Sequence, residues 1–274
     1  MVFKVNWDAE RDNIFNMYVS EHKSIAAIAR YYDVWEKTLS LQMDRLGIPK
    51  RQVNATSRAN AQYSVDVDYF KKIDTEEKAW VLGLIASDGH ISTHNNLMFC
   101  QHIDDIDYLQ KVNAAMHSNY KIMKKGDKYV TLTITSKMIV DDLKSLGLNH
   151  NKSYGFDADT LVRSIPPELL RHFVRGYFDG DGSVCIYKYD YFKKHSYHFG
   201  ITSCKAMHDF LKEFLGIHTA SANEGNGIWT CRTTNHKTIL NACHVMYDNA
   251  TVYGNRKFST FQEIERICSE EFAA

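Results

Sequence analysis

"RGYFDGDGSV", residues 175–184, closes an apolar run with two aspartates, Asp179 and Asp181, alternating with Gly180 and Gly182. Taken alone it reads as a tight turn, because Asp-Gly is a strong hairpin dipeptide. An EF-hand loop counted from Asp179 is excluded, since its sixth position is Val184 where that loop needs glycine. The deciding observation lies 93 positions earlier: "VLGLIASDGHI" begins at Val81 and "VRGYFDGDGSV" at Val174. The same offset relates Gly83 to Gly176, Asp88 to Asp181 and Gly89 to Gly182.

The segments after each copy are also alike. A short extended segment comes first, then a β-rich run ("NLMFCQH", "SYHFGITS") and a helical one ("DDIDYLQKVNAAM", "CKAMHDFLKEFLG"). Two more extended runs ("NYKIMKK" and "KYVTLTIT"; "TASANEG" and "GIWTCRTT") lead to a closing helix ("SKMIVDDLKSLG", "NHKTILNACHVMYD"). Each half reads αββαββα, and two α/β halves of this length imply a pseudo-symmetric pair with an interface between them.

Gly83 and Ser87 are four apart, as are Gly176 and Gly180. Small residues at that spacing share a helix face and let two backbones approach closely. If the two helices pair about a pseudo-twofold, Asp88 and Asp181 emerge side by side at their C-terminal ends. Paired carboxylates repel, and a helix C-terminus disfavours negative charge. Divalent cations offset both penalties; oxygen ligands of this kind suit Mg²⁺, with Mn²⁺ as a substitute. Two carboxylates with metal are the equipment for in-line phosphodiester hydrolysis.

These residues resemble the LAGLIDADG homing endonucleases. Both "VLGLIASDG" and "VRGYFDGDG" match the family's nine-residue motif, and the likeness spans roughly residues 69–265. Two copies in one chain resemble the monomeric form of these intron-homing, mobile-element enzymes. The resemblance implies that Asp88 and Asp181 bind the catalytic metals, with carbonyls from Ser87 and Gly180. It also implies a basic residue after the last helix of each repeat, here Lys152 and Lys257, to stabilise charge on phosphate or orient water. A polar residue on the second strand is implied too: Gln101, with Ser203 as the weaker counterpart. The expected activity is site-specific double-strand DNA cleavage across the minor groove, leaving short 3′ overhangs. Ala86 stands where many members carry an acid, as Asp179 does in the second motif, and Leu82 and Arg175 replace a usual small residue. Retained metal-binding acids favour an active enzyme. The alternatives are a non-cleaving DNA-binding regulator or RNA-splicing maturase on the same scaffold, and a protein-interaction module.

The family's strands form a twisted saddle along the DNA major groove. Lys188, Lys193 and Lys194 in "SVCIYKYDYFKKHSYHFGIT", and Lys121, Lys124 and Lys125 in "SNYKIMKKGDKYVTLT", are the candidate DNA contacts on it. The bland reading of such lysines is a charged edge that discourages aggregation.

Residues 1–51 carry three short helical runs, with Ser24 a candidate N-cap and Gly47 a stop before Pro49. They resemble the helix-turn-helix units of resolvases and phage proteins. The recognition helix would be Trp35–Leu46, offering Lys37, Thr38, Ser40, Gln42 and Arg45 to DNA, while Arg51 and Arg58 in the linker beyond it track the backbone or minor groove. The fold class expected is α/β (α+β): two αββαββα repeats forming a LAGLIDADG saddle, preceded by an all-α domain. The domain reading is 1–51 helix-turn-helix, 52–68 linker, 69–165 first repeat and 166–274 second repeat.

Composition narrows the partners. With 44% hydrophobic and 24% charged residues, the chain is an ordinary globular one. No apolar run reaches the ~18 residues of a membrane helix, and the N-terminus lacks a signal h-region. The 33 basic residues equal the 33 acidic ones, so DNA binding has to come from local basic faces. Six scattered cysteines without a C-x-x-C pair argue against a zinc ribbon and fit a reducing compartment. The expectation is a free-standing monomer on double-stranded DNA, with no small-molecule cofactor and no membrane. It would act in the cytoplasm of a bacterial or phage-infected cell, or in an organelle.

Overall fold

The structure, a computed structural model, describes residues 5–21, 23–49, 63–150, 156–189, 194–218, 221–225 and 227–273. The chain divides into two compact units, Met1–Ser64 and Val65–Ala274.

In the first unit, α1 (Arg11–Phe15) runs on as a π-helical turn (Asn16–Ser20), followed by α2 (Ile25–Tyr31) and α3 (Glu36–Arg45). Ser24 Oγ caps α2 by accepting from the Ala27 amide at 3.1 Å. Asp33, at φ 50°, turns the chain between α2 and α3. Gly47, at φ 67°, ends α3 as the Ile48 amide donates back to the Met43 carbonyl. Ile14, Tyr18, Ile28, Leu39 and Met43 meet in a small core of their own.

In the second unit, α4 (Glu76–Ser87) precedes β1 (His90–Ile91), β2 (Asn96–His102), α5 (Ile106–Ala115), β3 (Ile122–Lys125), β4 (Tyr129–Thr135) and α6 (Lys137–Ser145). After α7 (Ala158–Arg163), the series recurs as α8 (Leu170–Asp181), β5 (Gly182–Tyr189), β6 (Lys194–Cys204), α9 (Lys205–Phe214), β7 (Ser221–Gly225), β8 (Ile228–Thr233) and α10 (His236–Tyr247). Each half is αββαββα, as the repeat implies. Among the described residues, two further α-helices are α7 between the halves and α11 (Asn255–Ala273) after the second.

The two sheets have one topology. Their strand orders are β1-β2-β4-β3 and β5-β6-β8-β7, all antiparallel. Register fixes the equivalences: Phe99 pairs with Leu132 in one sheet, and Ile201 with Cys231 in the other. Leu97, Phe99, Val130, Leu132 and Ile134 are buried, as are Val184, Phe199, Ile201 and Cys231. Period-2 alternation therefore sends Met98, His102, Thr131 and Thr133 to the opposite face, with Tyr187, His198, Thr202 and Arg232 doing the same in the second sheet.

Helices α4 and α8 are the centre of one continuous core. Residues 79–87 of α4 and 173–179 of α8 are buried on every side, and α4, apolar all round, shows no ordinary amphipathic stripe. The glycines set their separation. A Cβ on Gly83 would lie 2.1 Å from the Phe173 carbonyl oxygen, and one on Gly176 would lie 2.0 Å from that of Trp80. Both obstacles are backbone and cannot rotate away. Gly176→Ala is expected to destabilise the protein by about 1–3 kcal/mol through overpacking, read as a lower urea midpoint at unchanged slope.

Candidate active site

Each central helix ends where its aspartate begins the exit to a strand. Asp88 is the C-cap of α4, and Asp181 is the last residue of α8. The glycine after each is required by close approach: a Cβ on Gly89 would lie 2.8 Å from Ile85 Cα, and one on Gly182 would lie 2.1 Å from the Phe178 ring. The chain thus folds back across its own last helical turn, where only glycine fits.

The two ends touch. A Cβ on Gly180 would meet Ser87 Oγ at 2.0 Å and Asp88 Cγ at 3.3 Å, so the Asp88 carboxylate rests against the backbone that carries Asp181. Ser87 Oγ itself bonds back to the Gly83 and Leu84 carbonyls, both at 3.1 Å. Tyr177 lies beneath both acids. Burial pushes its phenol well above the usual range, and the charges of Asp181 and Asp88 push it further.

Asp88 is half-buried and oriented by Gln101 on β2, whose Nε2 donates to Oδ2 at 2.7 Å. Register makes Ser203 the counterpart of Gln101, two residues beyond Ile201 as Gln101 is two beyond Phe99. Ser203 is buried and its Oγ has no hydrogen-bond partner among the described residues. The two halves therefore differ at this position.

Lys257, near the start of α11, is buried and ends on three carbonyls: Phe178 at 2.7 Å, Asp179 at 2.7 Å and Gly180 at 3.0 Å. These belong to the last turn of α8, where intrahelical partners run out. An ammonium there also complements the helix dipole. All three ammonium donors are thus used on backbone, so in this arrangement Lys257 acts on the helix end instead of reaching outward to phosphate. Burial lowers its pKa to about 8, against the pull of Asp179. Lys152, its expected counterpart, lies outside the described residues.

Asp179 is not part of the open site. It is buried, with Oδ2 accepting from Trp80 Nε1 at 2.8 Å and the Gly254 amide at 2.9 Å, and Oδ1 from the Tyr247 hydroxyl at 2.9 Å. Burial still raises its pKa despite these donors. Sequence reasoning missed the neighbouring charge, Arg175. That guanidinium is fully buried and donates to Glu76 Oε1 at 2.6 Å, the Val252 carbonyl at 2.8 Å and the Met246 carbonyl at 2.7 Å. An Arg in place of a usual small residue, ahead of the motif's two aspartates, was the signal available.

The expected DNA contacts divide by strand face. Lys121, Lys124 and Lys125 are exposed; Lys125 pairs with Tyr129 on the open face, whereas Lys124 pairs with Val130 on the inward face. Lys188 pairs with His195 on the face of Val184 and Ile186. It lines a groove of about 420 Å³ with Glu263, Arg266, Ile267, Glu270 and Glu271 of α11, not the open face. Lys193 and the side chain of Lys194 lie outside the described residues. Exposed Arg232 and the Thr202–Thr230 hydroxyl pair at 3.2 Å are open-face groups that were not anticipated; the alternation of Thr230 and Arg232 about Cys231 in "WTCRTT" carried that signal.

In the first unit, Lys37, Thr38 and Arg45 of α3 are exposed, Ser40 and Gln42 less so, beside Trp35 at 84% and Leu41 at 60% exposure. Arg45 is tied to Gln42 Oε1 at 2.8 Å and Asp8 at 3.2 Å. Arg51 and Arg58 lie outside the described residues.

No protein-family model and no curated relative matches the chain. Solved structures do. The LAGLIDADG meganuclease I-CpaMI bound to uncleaved DNA is 13% identical, with a TM-score of 0.53 over 71% of this chain and 92% of that one. The I-LtrWI LAGLIDADG homing endonuclease bound to target DNA is 12% identical, with a TM-score of 0.52 over 76% and 92%. The meganuclease I-SmaMI bound to uncleaveable DNA with a TTCT central four is 14% identical, with a TM-score of 0.50 over 70% and 90%. The chain carries the LAGLIDADG homing-endonuclease fold, as its two motifs imply.

Lys257 supplies a test of the buried helix end. Its folded pKa of about 8 lies below the ordinary lysine value. The unfolded chain then holds the extra proton between these values, so stability rises with pH across that window. Wild type is expected to gain stability relative to Lys257→Met from pH 8 to pH 10, by at most about 3 kcal/mol, in urea titrations at each pH.

Proposed function

We propose that the protein is a site-specific double-strand DNA endonuclease that hydrolyses phosphodiesters with divalent metal held at Asp88 and Asp181. The observation that carries this reading is the meeting of the two helix ends, where the Asp88 Cγ lies 3.3 Å from the place a Gly180 Cβ would take, next to Asp181 in the chain. The likeness in fold to endonucleases seen on DNA supports it.

The donor set fits Mg²⁺. Among the described residues, no group of three or more His, Cys, Asp or Glu converges as a closed cage. Two carboxylates are the set expected where phosphate oxygens and water complete the shell. Asp88 and Asp181 would hold the metal, with backbone help from Ser87 and from Gly180, whose carbonyl keeps a second lone pair beside Lys257. When bound, the metal supplies an activated water and neutralises charge on phosphate.

The chain's own residues do the rest. Gln101 fixes one oxygen of Asp88. Lys257 braces the turn that carries Asp181, and Lys152 is the matching basic residue of the first repeat. Lys121, Lys125, His102 and Tyr129 on one sheet, and Arg232 with the threonine pair on the other, are placed to follow phosphates and base edges. Lys37, Thr38 and Arg45 would give a second DNA contact, with Arg51 and Arg58 as linker contacts to the backbone or minor groove. One chain holds both halves, so it would act as a monomer, cutting one strand with each aspartate across the minor groove.

The test is cleavage of a randomised duplex library with Mg²⁺, followed by sequencing of the cut ends. Wild type is expected to yield a defined site with short 3′ overhangs, and chelation of the metal to stop cutting. Asp88→Asn and Asp181→Asn are each expected to leave a single-strand nick, and the double variant to lose at least about a hundredfold in rate. A double variant that cuts as wild type does would end the proposal. Duplex binding without cutting by the wild type would instead make the protein a DNA-binding regulator.

A further inference from the structure

Residues 248–254 form a strap that joins the end of α10 to the start of α11 and is bonded to both central helices. Its attachments are charges. Arg175 of α8 donates to the Met246 and Val252 carbonyls. Glu76 of α4 accepts from the Thr251 amide at 2.7 Å and the Val252 amide at 3.2 Å, and from Arg175 itself. The strap then delivers the Gly254 amide to Asp179 and the Lys257 ammonium to the last three carbonyls before Asp181.

Among the described residues, the first repeat does not carry the charged side chains of this arrangement. At the 93-residue offset, Arg175 corresponds to Leu82 and Asp179 to Ala86, both apolar and buried, and Glu76 corresponds to Leu169. Asp88 is held by Gln101 instead, where the second repeat has only Ser203.

We infer that Arg175, together with Glu76, is a positioning residue for the Asp181 half of the centre alone, so that the two halves are braced by different parts and can be uncoupled. Arg175 is fully buried and touches no reacting group; it acts by holding the strap, and the strap holds the helix end. Loosening it shifts Asp181 and leaves Asp88 in place. The consequence for strand choice rests on the proposed DNA cleavage; the consequence for local order does not.

Two measurements on Arg175→Leu, which copies Leu82, test this. The first uses a duplex recovered from the library with each strand end-labelled, and single Asp88→Asn and Asp181→Asn variants to assign strands to halves. The Asp181-dependent strand is expected to be cut about tenfold to a hundredfold more slowly, with the other strand unchanged and nicked product accumulating. The second is amide hydrogen exchange of the free protein: exchange over 178–183 is expected to rise, with 85–90 unchanged. Equal slowing of both strands, equal loosening of both helix ends, or no change at either in the folded variant would overturn the inference. If wild type cuts no duplex, the cleavage reading fails and the exchange contrast alone decides between these outcomes. If Arg175→Leu does not fold, Glu76→Gln is read in the same two ways.

Discussion

Three glycines let two buried helices meet backbone to backbone, and the rest of the second unit is arranged around that meeting. Gly83 and Gly176 remove the side chains that would strike the Phe173 and Trp80 carbonyls, and Gly180 removes the one that would strike Ser87. With the helices that close, their C-terminal ends meet, and each end carries an aspartate. Gly89 and Gly182 then allow each chain to turn back over its last helical turn into a strand, so the same crossing places both sheets. A pair of carboxylates at two helix C-termini is unfavourable by itself. That makes the site a natural place for a cation.

The second repeat carries an unusual load of buried charge. Arg175, Asp179 and Lys257 are all nearly inaccessible, and Glu76 is close to them. Burial of each ion costs several kcal/mol unless its bonds are satisfied. Here every one is: Arg175 by a carboxylate and two carbonyls, Asp179 by three donors, Lys257 by three carbonyls. Such networks are weak sources of net stability but strong constraints on geometry. The strap they hold also reaches the first repeat, through Arg256 to Asp105 at 2.9 and 3.0 Å and Lys111 to Asn255 at 2.7 Å. The halves share a fold and differ in what holds their acids.

The repeat and the αββαββα order were legible because they rest on local pattern and on one internal offset, which also marked Asp88 and Asp181 as equivalent helix-end positions. Asp179 could be set apart from Asp181 for the same reason, since its echo is Ala86. What escaped is non-local. Glu76 and Arg175 lie 99 positions apart, and no periodicity links them. Lys257 could be placed after the last helix, but its ending on three carbonyls depends on how α11 enters the core. Lys188 was expected on the open face; strand register turns it towards α11, because a one-residue difference in phase exchanges the two faces of a strand. Arg232 lay in plain view in an alternating strand and needed only that register to be assigned.

The central claim is that Asp88 and Asp181 make one metal-binding centre on DNA. Its most direct test is a crystal of the protein on its recovered duplex grown with Mn²⁺ and measured at the manganese absorption edge. Anomalous density in contact with the carboxylates of both Asp88 and Asp181, and with phosphate oxygens at the cut positions, is the expected result. Manganese absent from either aspartate, or bound only elsewhere on the protein, would contradict it.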